Sequence, residues 1–227
     1  MNGFFNENNI LHVGLLKIWD IVLANLLFIL CSIPLITIGP SFTALFHCTL
    51  RMVKGNNTGT LKTFFHAFKQ NFKQSLIVWL FTVLSAFMLY NNFFFLKDQG
   101  GIFAQALLYL TFAMGLLLII INLYIYAVIA AFEGTLSMHL KNSFIFASLN
   151  FFKTILIFIL WTLPIAMTFV DVGLQPLYVF CWFFFLFGLL AYITSMAFYK
   201  MFRPYLEPDD GTAAPKYIDD DGGAYLP

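Results

Sequence analysis

The sequence predicts an all-α polytopic membrane protein with about five transmembrane helices, and three observations carry that prediction. Of 227 residues, 61% are hydrophobic and only 10% are charged, against about 25% charged in soluble domains. A globule of this length has too much surface for its volume to hide so much apolar area. Five segments each run to about 20 mainly apolar residues, the length that crosses roughly 30 Å of hydrocarbon with every backbone amide satisfied internally. The basic residues fall together in the connecting segments, as they do in membrane proteins of fixed orientation.

The five spans read from the hydropathy are residues 18–38, 75–96, 103–132, 151–170 and 177–199, with Trp19, Tyr90, Tyr178 and Tyr199 as aromatic anchors near their ends. Residues 1–10 carry no basic n-region and no small-residue cleavage site follows, so the first apolar run reads as a retained helix. Ten basic residues lie in the segments after the first and third spans and in the C-terminal tail, with Lys153 just inside the fourth span. Only Lys17 and Lys97 lie opposite them. That bias expects both large loops and the C-terminus in the cytoplasm, and with five spans the N-terminus outside. Pro34 and Pro40 leave the first span open to breakage, which would keep the N-terminus inside.

Between the first and second spans, residues 60–74 place Leu61, Phe64, Phe65, Phe68 and Phe72 on one helical face and Lys62, Lys69, Gln70 and Lys73 on the other. This is the pattern of a helix lying in the membrane interface, with Asn56–Gly59 as the turn before it. Residues 41–53 form a shorter piece, too short to span, that spaces Thr43, His47 and Arg51 four apart. Residues 61–80 laid over 140–159 pair Lys62 with Lys141, Phe65 with Phe144, Asn71 with Asn150 and Ser75 with Thr154. Two parallel units, each an interfacial helix running into a two-span hairpin, would produce this, and so would the shared composition of two Phe-rich amphipathic helices. The domain reading is therefore a helical membrane domain over 1–203 and an acidic tail over 204–227, rich in Pro and Gly and expected to be disordered.

The stretch from Asn25 to Pro40, with Thr43, Ala44 and Leu45 after it, resembles the opening signature of the YesL-like bacterial membrane proteins (domain of unknown function 624). Phe64 to Phe72 is similar to that family's second recognisable block. The resemblance spans roughly residues 1–205. It implies a plasma-membrane protein of bacteria, often Gram-positive, whose genes lie near those for carbohydrate uptake and polysaccharide degradation. It implies no biochemical activity, since the family has none established.

The candidate gating or ligand element is Asn25, Pro34, Thr37, Gly39, Pro40 and Asn122. Two prolines six residues apart should break or end the helix, and carbonyls freed at membrane depth need cover from protein or water. The same residues would serve equally as a rigid elbow. Asn25 and Asn122 also read as interhelical glue, each such bond contributing about 0.6–2 kcal/mol. Arg51, Lys54, Lys62, Lys69 and Lys73 read as a lipid-facing basic set able to attract anionic lipid of the inner leaflet. Asp20 and Asp171 read as outer interfacial residues and Glu133 as an inner one.

No Asp, Glu, Lys, Arg or His falls in the middle of a predicted span, which argues against a proton relay. The four histidines make no His-x3-His or HExxH pattern, and the three cysteines are scattered, so no metal site is expected. There is no GxSxG, P-loop or GxGxxG, so no cofactor and no familiar enzyme class is expected. The partners expected are membrane lipids and subunits of a sugar ABC transporter, with no nucleic acid. The function expected is a non-enzymatic part of carbohydrate uptake, and the alternative is a membrane scaffold or sensor.

Overall fold

The computed structural model describes residues 10–55 and 59–206. Among them every regular element is a helix: α1 (Ile10–Ser32), α2 (Ile38–Lys54), α3 (Thr60–Leu96), α4 (Ile102–Ala131), α5 (Leu136–Leu149), α6 (Phe151–Val170), α7 (Gln175–Cys181) and α8 (Phe187–Leu206). Five stretches are long and apolar enough to cross a membrane: Gly14–Ser32, Thr60–Leu96, Ile102–Ala131, Phe151–Val170 and Gln175–Leu206. The protein is thus a multi-pass membrane protein, and its surface says the same. Leu80, Phe81, Leu84 and Phe87 on α3, and Leu110, Leu116 and Leu117 on α4, are all exposed, where only a lipid solvent makes such exposure favourable.

The first span stops at Ser32, and Leu35–Thr37 make one 3-10 turn before α2 begins at Ile38. Pro34 precedes that turn and Pro40 occupies the first turn of α2, where the missing N–H is one that has no intrahelical partner. Thr37 Oγ1 closes the bend by donating to the carbonyls of Cys31 (2.6 Å) and Pro34 (2.7 Å). The prolines therefore build an elbow, and the chain folds back on itself. Phe28 meets Phe42 with ring centroids 4.7 Å apart, and Thr60 Oγ1, just after α2, donates to Asp20 Oδ1 at 2.6 Å.

This hairpin corrects two expectations. Asp20 and the neighbouring Lys17 lie at the end of the molecule where α3 starts, not at the opposite one. Helix α1 therefore enters from the basic end, and the expectation that the chain enters from the other side fails. Residues 41–53 are not a peripheral segment either. They form most of α2, which packs against α1, α3, α4 and α8 and buries nearly every residue from Gly39 to Met52. A 17-residue helix rises about 25 Å, so α2 runs deep into the bundle, walled off from lipid. Two of its threonines bond to neighbouring helices: Thr43 Oγ1 to Ser75 Oγ and Thr49 Oγ1 to Ser195 Oγ, both 2.7 Å.

The amphipathic residues 60–74 join the second span without a break, so α3 is 37 residues long. Phe64, Ala67, Ser75 and Val78 of α3 are buried, and so are Ser143, Phe146, Thr154 and Ile157, their counterparts at the offset of 79. The second copy differs by breaking at Asn150 between α5 and α6. Helix α8 continues through Pro204 to Leu206, three residues past the expected domain edge. The rest of the acidic tail, residues 1–9 and Asn56–Thr58 lie outside the described residues.

Helices α3 and α4 run antiparallel, with Asn92 bonded to Thr111 (2.6 Å), Thr82 to Asn122 (3.0 Å) and Gln74 to the Gly134 carbonyl (3.0 Å). Tyr124 meets Thr154 and Phe132 meets Phe202, so α6 starts and α8 finishes where α4 ends. Lys17, Lys62, Lys69, Lys73, Lys141, Lys153, Lys200 and Arg203 thereby share one end, and Lys97 stands at the other. Leu61→Cys and Lys97→Cys, each made with Cys31, Cys48 and Cys181 replaced by serine or alanine, should consequently react with an impermeant maleimide from opposite sides of the membrane. Reaction of both from one side would overturn this arrangement.

Candidate functional site

Asn25 is fully buried and its role is set by geometry. Its side-chain NH2 donates to the carbonyls of Phe183 (2.7 Å) and Trp182 (3.3 Å), and its Oδ1 accepts from the backbone N–H of Gly188 (2.9 Å). Between α7 and α8, Trp182–Leu186 form one π-helical turn, which interrupts the regular backbone ladder and leaves groups to be met from outside. Asn25 meets two of the turn's carbonyls and also the N–H of Gly188 at the start of α8. It fastens the first span to the last, across 157 or more residues of chain.

Asn122 sits elsewhere. Its Oδ1 accepts from Thr82 Oγ1 at 3.0 Å and Tyr126 OH at 3.4 Å, and its NH2 donates to the Leu118 carbonyl at 2.8 Å. It lines a cavity of about 400 Å³ whose other walls include Phe42, Phe46, Trp79 and Trp161. Trp79 separates this cavity from the 33–37 bend, donating its indole N–H to the Leu35 carbonyl at 2.8 Å. Pro34, Thr37, Gly39 and Pro40 thus lie on one side of Trp79, Asn122 on the other, and Asn25 apart from both. The six residues do not converge on one site.

The basic set also divides. Lys62, Lys69 and Lys73 are exposed on one face of α3, and Lys54 is half-buried. Arg51 is a correction: only 8% exposed, it is packed inside the bundle and does not face lipid. It lies one turn after His47 on a helix that neighbouring elements cover on all sides.

A second cavity opens at the basic end, about 260 Å³, lined by His47, Gln70, Asn71, Gln74, Glu133 and His139 among others. Sequence reading passed over it, having weighed the histidines only as metal ligands. They are 92 residues apart, and the folding-back of α2 together with the loop at 132–135 brings them to one cavity. His47 Nδ1 lies 3.1 Å from the Ala130 carbonyl, while His47 Nε2 and His139 Nδ1 are buried with no hydrogen-bond partner among the described residues. Burial holds His47 down at about 4, with the Ala130 carbonyl opposing and Arg51 and His66 adding to the fall. Burial also lowers His139, opposed by the Gly134 carbonyl, and raises Glu133. Among the described residues no group of three His, Cys, Asp or Glu could close around a metal ion. What the cavity offers is hydrogen bonding.

Residues 21–93 match the family model described as Protein of unknown function, DUF624. The resemblance read from Asn25–Pro40 and Phe64–Phe72 holds over that stretch. The DUF624 segment runs from α1 through all of α2 almost to the end of α3. It contributes Asn25, the elbow, His47, Gln70, Asn71 and Gln74, while Asn122, Glu133, His139 and the π turn lie outside it. No curated protein and no solved structure matches the chain.

Proposed function

We propose that this protein is a non-enzymatic accessory or component of a carbohydrate-uptake system in a bacterial plasma membrane, with its basic end and C-terminus in the cytoplasm. The carbohydrate context comes from the family resemblance. The positive-inside rule supports the orientation, since Lys97 stands opposite the other described basic residues. One observation carries the accessory role over that of a self-sufficient conduit. The polar cavity at the basic end and the aromatic cavity around Asn122 share no lining residue, and Trp79 caps the carbonyl that the elbow would otherwise present to a solute. A solute crossing beside this chain would need a pathway supplied by a partner, and the driving force would come from that partner as well.

A second reading, a scaffold or sensor at the lipid surface, is favoured by Lys62, Lys69 and Lys73. Spaced seven and four residues apart, they stay exposed on one face of α3. Each could attract anionic lipid by about 1 kcal/mol close to the surface. One experiment separates the readings. Tagged protein is purified from native membranes, its co-purifying proteins and lipids are identified, and sugar uptake is measured in a deletion strain. Recovery of sugar ABC transporter membrane subunits together with slowed uptake is expected. Unchanged uptake with anionic lipid as the sole companion would replace the uptake reading with the scaffold.

A further inference from the structure

The cavity at the basic end has an unbalanced set of hydrogen-bonding groups. A carbonyl only accepts, so the Ala130 carbonyl beside His47 Nδ1 places the hydrogen on that nitrogen. An imidazolium buried beside Arg51 with no partner for its second N–H would be costly, so Nε2 carries a bare lone pair. Asn71 donates its NH2 to the Ala67 carbonyl (3.2 Å) and Gln74 donates its NH2 to the Gly134 carbonyl (3.0 Å). By the same reasoning both amide oxygens remain as acceptors. The Glu133 carboxylate adds two more acceptor oxygens to the cavity wall. His139 Nδ1, 98% buried, is a further nitrogen without a partner among the described residues.

Buried polar atoms without partners are uncommon, and each implies a water, an ion or a ligand. Among the described residues no three His, Cys, Asp or Glu gather to hold a metal ion. The Glu133 carboxylate in the wall and the Arg51 guanidinium one helical turn beyond His47 oppose each other in charge, so the site has no strong net charge to select a charged occupant. A volume of about 260 Å³ lies just under the range of drug-sized pockets, about 300–1,000 Å³, so the occupant is small. Hydroxyl groups both donate, to His47 Nε2, the Asn71 and Gln74 amide oxygens and the Glu133 carboxylate, and accept, from the remaining amide N–H groups of Gln70, Asn71 and Gln74.

We infer that this cavity is a binding site for a small, uncharged, polyhydroxylated solute held by His47 Nε2, Asn71, Gln74 and Glu133. The inference goes beyond the uptake reading, because a binding site at this end serves a sensor as well as a transport accessory.

Full-length protein in lipid nanodiscs, free of sugar-headed detergent, is titrated with mannitol, glucose and glucosamine while Tm is followed. A saturable rise with mannitol or glucose is expected, larger than that with cationic glucosamine. Asn71→Leu and Gln74→Leu should each weaken the interaction about 3- to 10-fold, the range of one neutral hydrogen bond, and Lys62→Gln should leave it unchanged. As a readout that needs no substitution, the 15N resonance of His47 Nε2 should move on adding the neutral ligand. A non-saturating Tm rise common to all variants, preference for glucosamine, or an unmoved His47 resonance would each overturn the site. The site could fail while transporter subunits still co-purify, and the reverse could also occur, so the two proposals stand or fall separately.

Discussion

Asn25→Leu is expected to be among the most damaging single substitutions in the protein. Leucine keeps the branched shape of asparagine but is bulkier, so the loss combines some crowding with the three hydrogen bonds to Trp182, Phe183 and Gly188. An interhelical bond in a bilayer contributes about 0.6–2 kcal/mol. The larger cost falls on the backbone groups left behind, because two π-turn carbonyls and the Gly188 N–H at the start of α8 lose their partner with no water at hand, and each buried unsatisfied group costs about 1–3 kcal/mol. Together these predict a loss of about 2–5 kcal/mol, read as a fall in Tm and in the yield of monodisperse protein. Asn25→Asp should recover part of it only as the protonated acid, whose C=O can accept from Gly188 and whose O–H can donate to Phe183, because a buried carboxylate would face two carbonyls. A leucine variant as stable as the parent would mean that the π turn is held by something other than Asn25.

The second large effect is expected at two glycines where helices approach backbone to backbone. A Cβ on Gly39 would lie 2.5 Å from the Ser75 carbonyl oxygen and 2.6 Å from Trp79 Cβ, and one on Gly188 would lie 2.6 Å from the Ile21 carbonyl oxygen. None of these atoms is the end of a flexible side chain, so helices must separate, and overpacking of this kind costs about 1–3 kcal/mol or more. Gly39→Ala should therefore loosen α2 from α3, and Gly188→Ala should loosen α8 from α1. Gly115→Ala is the control, because nothing lies within 4 Å of its Cβ position and alanine is the better helix former by about 1 kcal/mol. Thermal unfolding of the three variants should rank Gly115→Ala at or above the parent and the other two well below it. Equal stability for all three would remove close packing as the reason for glycine at positions 39 and 188.

These two sites show how sequence legibility varied along the chain. Asn25 stood out in the sequence because an amide inside an apolar run needs a partner, but its partner is a backbone irregularity at Trp182–Leu186 that no residue there announces. Gly188 carried no signal, since a glycine among large apolar residues is ordinary until the carbonyl of Ile21 is placed against it. The elbow at Pro34 and Pro40 was legible as a break, and its consequence for α2 was not. Residues 41–53 read as too short to span, and Ser41, Thr43, His47, Thr49 and Arg51 give them a polar character, yet α1, α3, α4 and α8 surround that helix. Hydropathy asks only whether a segment tolerates lipid. It cannot register a helix that other helices shield from lipid.

The sequence by itself determined the solvent of this protein, its helical class, its five long spans and the one-sided distribution of its basic residues. Each follows from a requirement that acts along the chain: backbone amides in hydrocarbon must bond within their own helix, and charge near a span sets its orientation. Tertiary structure alone decided that the first span returns as a hairpin, that Arg51 turns inward and that two histidines 92 residues apart share a cavity. Those outcomes depend on which faces meet across the bundle, and the pairing of faces is fixed by close packing and by the search of buried polar atoms for partners, neither of which has a period along the sequence.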